Sequence, residues 1–388
     1  MKANAKTIQK IMSMLVGGAV ALMGTGCSSD TPDEPGKDEA KLIVMNVSAD
    51  LNSWVPGNSS RSQITDANIT GQDFQFWVTT AAGDKRYEGF LDYVNSGWNL
   101  VSTLGGTPQN MYWAWDPWNF YALGHSVRSY QESGHLAVTK DITTADIKST
   151  LQGDGFLAIP VETANRVCDN DLVFASAVGK TRDDNDGKVN LHMRHLLSRL
   201  TFSIGAKREG LKIKANKIAV DQLYGTGVCK VNLKKSSEKT NTSWSNTSDI
   251  VWDLSAGVRR DHDTGGIDVL ETGYIDNNGQ PGTKQVTKGG QLMDMFVIPQ
   301  QVPYNTQQLC LAVHIEDAEG NVIWPKDGHA DAYEWKRTSL PNTTWLPGVQ
   351  YHFNILVDAE DVKVEIRPYA FSVNPFEDGG TIKPDMGE

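Results

Sequence analysis

Between Val189 and Ile204 the chain passes through two spells of strict alternation, Val189/Leu191/Met193 and Leu200/Phe202/Ile204, with only a short apolar crossing at His195 and Leu196 between them. Period two is the signature of a strand with one buried face. The stretch therefore reads as a hinge that carries the chain from one all-β unit into another. The rest of the sequence agrees: eleven each of Trp, Tyr and Phe, many at period-two spacing and separated by 36 Gly and 15 Pro, predict many short strands joined by turns. Long amphipathic helical patterns are scarce. At 388 residues the chain can bury a substantial core and divide into two or three domains.

Charge and motif content narrow the function classes. The formal net charge is -11 and no Lys/Arg run is present, which argues against a nucleic-acid partner, since phosphate binding needs a basic face. No G-x-S-x-G elbow, H-E-x-x-H, P-loop or dinucleotide fingerprint occurs, so no enzyme and no cofactor are expected. His192 and His195 lie three apart without a third ligand nearby, a weak case for zinc. The acidic run Thr181 to Lys188 fails the calcium-loop spacing, because Arg182 falls at the first ligand position, and is expected to be a hairpin loop turning at Asp186-Gly187. Cys168, Cys229 and Cys310 sit in separated apolar stretches and read as buried free thiols.

Both ends carry more information. Lys2, Lys6 and Lys10 precede the apolar run Ile11 to Met23, which is too short to span a membrane comfortably, and Gly24-Thr25-Gly26-Cys27 closes it. Small residues before a cysteine suit lipoprotein processing, with Cys27 taking the lipid; ordinary signal cleavage beside an incidental Cys27 is the alternative. Each buried methylene of an acyl chain contributes about 0.8 kcal/mol, so several chains anchor firmly. Residues 27–39 form an acidic, flexible linker. A strand follows, with Ile43, Met45, Val47, Ala49 and Leu51 on one face, then a turn-rich loop ending at Arg61-Ser62. At the far end Val362, Val364 and Ile366 alternate with charged residues, and Tyr369, Phe371 and Val373 continue the apolar pattern past Pro368. Trp113, Trp115, Trp118, Phe120 and Tyr121 could either fill a core or present a row of rings to a sugar.

Several phrases resemble the fimbrillin family of Bacteroides-type pilus subunits. They are the hinge stretch with His195, Leu197, Ser198, Arg199, Leu200, Thr201 and Phe202; Phe120-Tyr121-Ala122; Asp171-Leu172-Val173-Phe174-Ala175; Val297-Ile298-Pro299-Gln300; and Trp345 with Pro347, Gly348 and Tyr351. The resemblance implies two transthyretin-like β-sandwich domains in tandem, residues 40–188 and 189–388, behind a lipoprotein signal peptide over residues 1–26. It further implies a pilus subunit held at the outer membrane by its lipid. A trypsin-like protease would cut after Arg61, removing the strand Ile43 to Leu51 and leaving Ser62 as the new N-terminus. Other pilus subunits would then be partners by donor-strand exchange, with Val362, Val364, Ile366, Tyr369, Phe371 and Val373 as the candidate donor. The acidic residues after Cys27 similarly resemble surface-export signals. A glycan-binding surface lipoprotein is the competing reading, and it requires Trp113, Trp115 and Trp118 to form an exposed row.

Overall fold

Among the described residues, the first half of the chain supplies nine strands: β1 (Val44–Ala49), β2 (Phe74–Thr80), β3 (Lys85–Val94), β4 (Gly97–Val101), β5 (Trp118–Gly124), β6 (Leu136–Val138), β7 (Phe156–Thr163), β8 (Val173–Lys180) and β9 (Lys188–His195). The computed structural model describes residues 41–49, 69–124, 136–163, 171–238, 245, 248–261, 270–276, 282–285, 287–288, 291–292, 294–303, 305–326, 332–360 and 362–370. All of them belong to the compact unit Ala40–Glu388. Seven strands close into a barrel in the order β1-β4-β3-β2-β5-β8-β9. Its interior is built from alternating residues, among them Phe74/Phe76/Val78, Val173/Ala175/Ala177 and Val189/Leu191/Met193. A turn at Asp184–Gly187 joins β8 to β9, with Asn185, Asp186 and Gly187 at positive φ, but the two strands pair only at their far ends, Val173 opposite His195 and Phe174 opposite Arg194, so the expected tight hairpin is not formed.

An α-helix, α1 (Thr144–Gln152), stands where strands and turns were expected. The Thr143 hydroxyl accepts from the Asp146 amide and the Asp146 carboxylate accepts from the Thr143 amide, a complete capping box. Its sequence signal is short because Ile147 is its one fully buried side chain.

The second half contributes β10 (Ser198–Ala206), β11 (Lys212–Asp221), β12 (Thr226–Asn232), β13 (Ile250–Asp253), β14 (Leu270–Asp276), β15 (Gly282–Gln285), β16 (Asp294–Val297), β17 (Gln308–Glu316), β18 (Val322–Trp324), β19 (Glu334–Ser339), β20 (Val349–Val357) and β21 (Val362–Ala370). One sheet runs β15-β10-β20-β21 with β16 also on β10, and the other runs β14-β11-β17-β18 with β19 also on β17. They share a core in which Leu200, Phe202 and Phe353 meet Ile213, Ile218 and Leu311. A bulge between Ala215 and Lys217 shifts the inward face of β11 from the odd to the even positions. The chain is thus all-β, two β-sandwich units in tandem, the first closed into a barrel. Residues 261–288 contain β14 and β15, paired to β11 and β10, and Ser237 is buried against β8, its hydroxyl bonded to the backbone of Ser176 and His192.

The crossing from barrel to sandwich occurs at Leu196 and Leu197, both fully buried, since β9 still belongs to the barrel. The boundary drawn at residues 188/189 falls at the first residue of β9. A further sheet, β13-β12-β7-β6, takes two strands from each half. Its core joins Trp77, Tyr121, Phe174, Leu196, Leu197 and Phe296, so the junction is itself a hydrophobic core.

Candidate functional site

β1 is held in the barrel mainly along one side. It lies parallel to β9 from Val44 opposite Lys188 to Ala49 opposite Met193, and touches β4 through one pair, Met45 opposite Trp98. Ahead of it, the Ile43 amide donates to Met111 O at 2.9 Å and Trp113 donates to Lys41 O at 3.0 Å. Ile43, Met45 and Ala49 are buried and Val47 packs beside them, while Leu42 and Val44 face solvent. On the inner face Met45, Val47 and Ala49 stand beside Val189, Leu191 and Met193. The outer face is polar, with Asn46 Nδ2 bonded to Asn190 Oδ1 at 3.0 Å and Ser48 Oγ 3.1 Å from His192 Nδ1. Leu51, Arg61, Ser62, Cys27 and Cys168 lie outside the described residues.

The two histidines of the hinge do not share a site. His192 faces Ser48, whereas His195 is buried with its Nδ1 2.5 Å from Asp171 Oδ2. No cluster of three His, Cys, Asp or Glu able to hold a metal occurs among the described residues. Cys229 and Cys310 are buried free thiols, and burial pushes the Cys229 thiol well above its usual range.

The aromatic cluster divides. Trp113 and Trp118 stack at 5.9 Å inside the barrel core and Phe120 and Tyr121 are fully buried. Trp115 alone is exposed, with the Arg182 guanidinium 4.5 Å over its ring. The exposed row demanded by the glycan reading is not formed.

The phrases that carried the family resemblance meet at one place, the junction between the halves. Trp345 N donates to Gln300 O at 2.9 Å, joining the last phrase to the Ile298-Pro299-Gln300 phrase. Gly348 N donates to Leu197 O at 2.8 Å and the Ser198 hydroxyl to Leu346 O at 2.9 Å, joining both to the hinge. The spacing of the last phrase has a physical cause. Pro347 and Gly348, the latter at φ 66°, form the middle of a turn closed by Val349 N on Leu346 O, Trp345 plugs the sandwich core, and the Tyr351 hydroxyl donates to Thr344 O and accepts from Leu346 N, both at 2.8 Å. Beside this turn opens a cleft of about 580 Å³ lined by Tyr224, Val251, Trp252, Arg259, Leu346 and Pro347 among others. Tyr224, Trp252 and Arg259 were missed in the sequence because they belong to short segments without a recognisable period.

At the other end, Val362, Val364, Ile366 and Tyr369 all lie in β21, which pairs along its whole length with β20, from Val357 opposite Val362 to Val349 opposite Ala370. Phe371 and Val373 lie outside the described residues.

This architecture, a barrel bonded to a second sandwich, is that of an all-β protein with two β-sandwich units in tandem. Over residues 60–369 the sequence matches the family described as fimbrillin-like, and the chain belongs to that family. Among solved structures, a fimbrial protein from Bacteroides vulgatus is 13% identical and superposes with a TM-score of 0.51, covering 85% of this chain and 99% of that one. The tip fimbrial protein Mfa3 from Porphyromonas gingivalis, C-terminally truncated, is 9% identical with a TM-score of 0.36 over 77% of this chain and 94% of that one. A fimbrial assembly protein from Parabacteroides distasonis is 9% identical with a TM-score of 0.34, covering 84% and 94% respectively. No curated protein matches the sequence.

Proposed function

We propose that this chain is a structural subunit of a cell-surface pilus, exported as a lipoprotein through Cys27 and assembled by strand exchange once β1 is removed. The observation that carries the reading is the attachment of β1: a ladder to β9, a single pair to β4, and an apolar half-face that closes the barrel. Cleavage between Arg61 and Ser62 by a trypsin-like protease would release β1 and leave a groove between β4 and β9 with open backbone groups on both sides. A donor from another subunit would supply the missing rungs and apolar face. The family match begins at residue 60, beyond β1 and beside Arg61, which agrees with this reading. Val362, Val364 and Ile366 are the candidate donor residues, continued by Tyr369, Phe371 and Val373. Set in the places of Met45, Val47 and Ala49, the first three would exchange Met for Val at the first position and Ala for Ile at the last, keeping the face apolar. Donation requires β21 to give up its ladder to β20 for an equivalent ladder in the neighbour.

The location that follows is the outer membrane surface and the fimbrium, with a role in adhesion. Mass spectrometry of filaments sheared from the cell surface tests the reading. The chain should be present with Ser62 at its N-terminus; filaments that lack it would remove the proposal. Arg61→Ala should block the new N-terminus and polymerisation together. Cys27→Ala should abolish acyl labelling and membrane association, and unchanged labelling would dismiss the lipid anchor.

A further inference from the structure

Ile250, Val251 and Trp252, consecutive residues of β13, all line the cleft at the junction. A strand shows only every second residue to a space above its face, so the cleft looks onto the edge of β13. That edge is open, since the only strand partner of β13 among the described residues is β12. Asn232 N donates to Asp249 O at 3.0 Å, one step ahead of the β12–β13 register. By the alternation of an antiparallel ladder, Val251 and Asp253 turn their backbone groups toward β12, and Ile250 and Trp252 turn theirs outward. An edge of this kind is a template for one more strand.

The side chains around the edge are fixed and carry one charge. Trp252 Nε1 donates to Leu196 O at 2.9 Å, and the Arg259 guanidinium lies 4.5 Å over the Tyr224 ring while its Nη1 donates to Gln222 O at 3.0 Å. Arg259 is the only charged residue among the described residues of the lining, and it has no acidic partner among them or elsewhere in the described chain. Its neighbour Arg260, by contrast, meets Glu162 at 3.0 Å, and Asp253 beside the cleft is taken by Lys230 at 2.9 Å. A guanidinium held in this way, in an apolar and aromatic lining without a carboxylate, is complementary to an anion.

We infer that the cleft takes an extended, acidic peptide segment of another protein, added to β13 as a strand, with a carboxylate on Arg259 and apolar side chains against Trp252 and Tyr224. Each requirement has its own source: the backbone groups of Ile250 and Trp252 demand an extended chain, Arg259 demands a negative charge, and the two rings demand an apolar contact. A sugar fits less well, because two polar side chains that would serve its hydroxyls are spent within the protein. Gln300 accepts from Tyr224 N and donates to Ile298 O, and the Ser255 hydroxyl donates to Asp253. Walls already fixed lose little freedom when the segment binds. The inference stands on the cleft and does not depend on the pilus reading, so it is tested on the intact chain with β1 in place.

Selection of a random octapeptide display library on that chain should enrich sequences with an Asp or Glu among alternating apolar residues. The most enriched peptide, made synthetically and followed by fluorescence anisotropy, should bind Arg259→Gln roughly tenfold more weakly, and should lose roughly tenfold on the native chain when its own acid is replaced by the amide. The two changes together should weaken binding no further than either alone, and Arg259→Lys, which keeps the charge, should bind more tightly than Arg259→Gln. Bound peptide should slow amide exchange at Ile250–Asp253 by roughly tenfold, with β17 unchanged. The amide peptide on the native chain tests the charge contact without any variant having to fold. Enrichment of sequences without an acid, affinity that ignores the loss of either charge, or unchanged exchange at β13 would overturn the inference. So would Arg259-dependent binding of a glucuronic acid tetrasaccharide where the peptides fail, which would assign the cleft to acidic sugars.

Discussion

Tyr351 ties the Leu346–Val349 turn to the sandwich core, and burial pushes its hydroxyl up to about 12. Its folded pKa lies above the unfolded value near 10, so the contribution it makes is complete below about pH 10 and is lost as pH rises through about 12. Urea unfolding of the native chain is expected to weaken by about 2 kcal/mol from this group between those limits, and Tyr351→Phe to show a flatter alkaline profile from a lower starting stability. Asp171 and His195 make a second single-residue test. Both side chains are buried at the point where β9 leaves the barrel, and Leu196 N donates to Leu172 O at 2.8 Å beside them. Breaking a buried charge-bearing pair costs roughly 3 kcal/mol or more. Asp171→Ala should therefore lower the urea midpoint strongly, while surface Asp116→Ala, from an exposed pair with Arg86, should leave it almost unchanged.

At the level of elements, a strand with one apolar face imposes its period on the sequence, which is why β1, β9 and β10 were legible as alternation, β10 even though its polar face is buried as well. The hinge was legible for the same reason: Val189/Leu191/Met193 fill the barrel core and Leu200/Phe202/Ile204 the sandwich core, with Leu196 and Leu197 in the junction between them. Pairing over distance leaves no local trace. β7 and β12 are aligned from Phe156 opposite Asn232 to Glu162 opposite Thr226, and nothing in either segment names the other. The cleft was hidden by the same gap, since its walls come from four separate stretches that meet only in the fold. The attachment of β1 yields a prediction at this scale. A chain beginning at Ser62 should bind a synthetic peptide of residues 41–51, and a peptide carrying Met45→Asp and Ala49→Asp should fail, because each buried face position would then hold an unpaired carboxylate. Isothermal titration of the two peptides decides it; equal affinities would mean that β1 is held by its backbone alone.

On the scale of the whole molecule, the sheet β13-β12-β7-β6 bears on how the chain unfolds. Domains joined by a linker separate on denaturation, but here β6 and β7 from the first half and β12 and β13 from the second share one ladder over one core. Opening the junction would expose the fully buried Trp77, Tyr121, Phe174, Leu196 and Leu197 together. At about 1.5–3 kcal/mol for each large apolar side chain, that exposure is comparable to the net stability of a typical domain. The two halves should therefore unfold in one transition. Leu157, in the middle of this core and 1% exposed, offers the decisive substitution. Leu157→Ala leaves a cavity worth about 2–5 kcal/mol. If the halves are coupled, circular dichroism and tryptophan fluorescence should shift to lower urea by the same amount and remain superimposed. If each half is stable alone, the variant should instead split into two transitions, with the sandwich formed by β10, β11, β17 and β20 melting at its original midpoint.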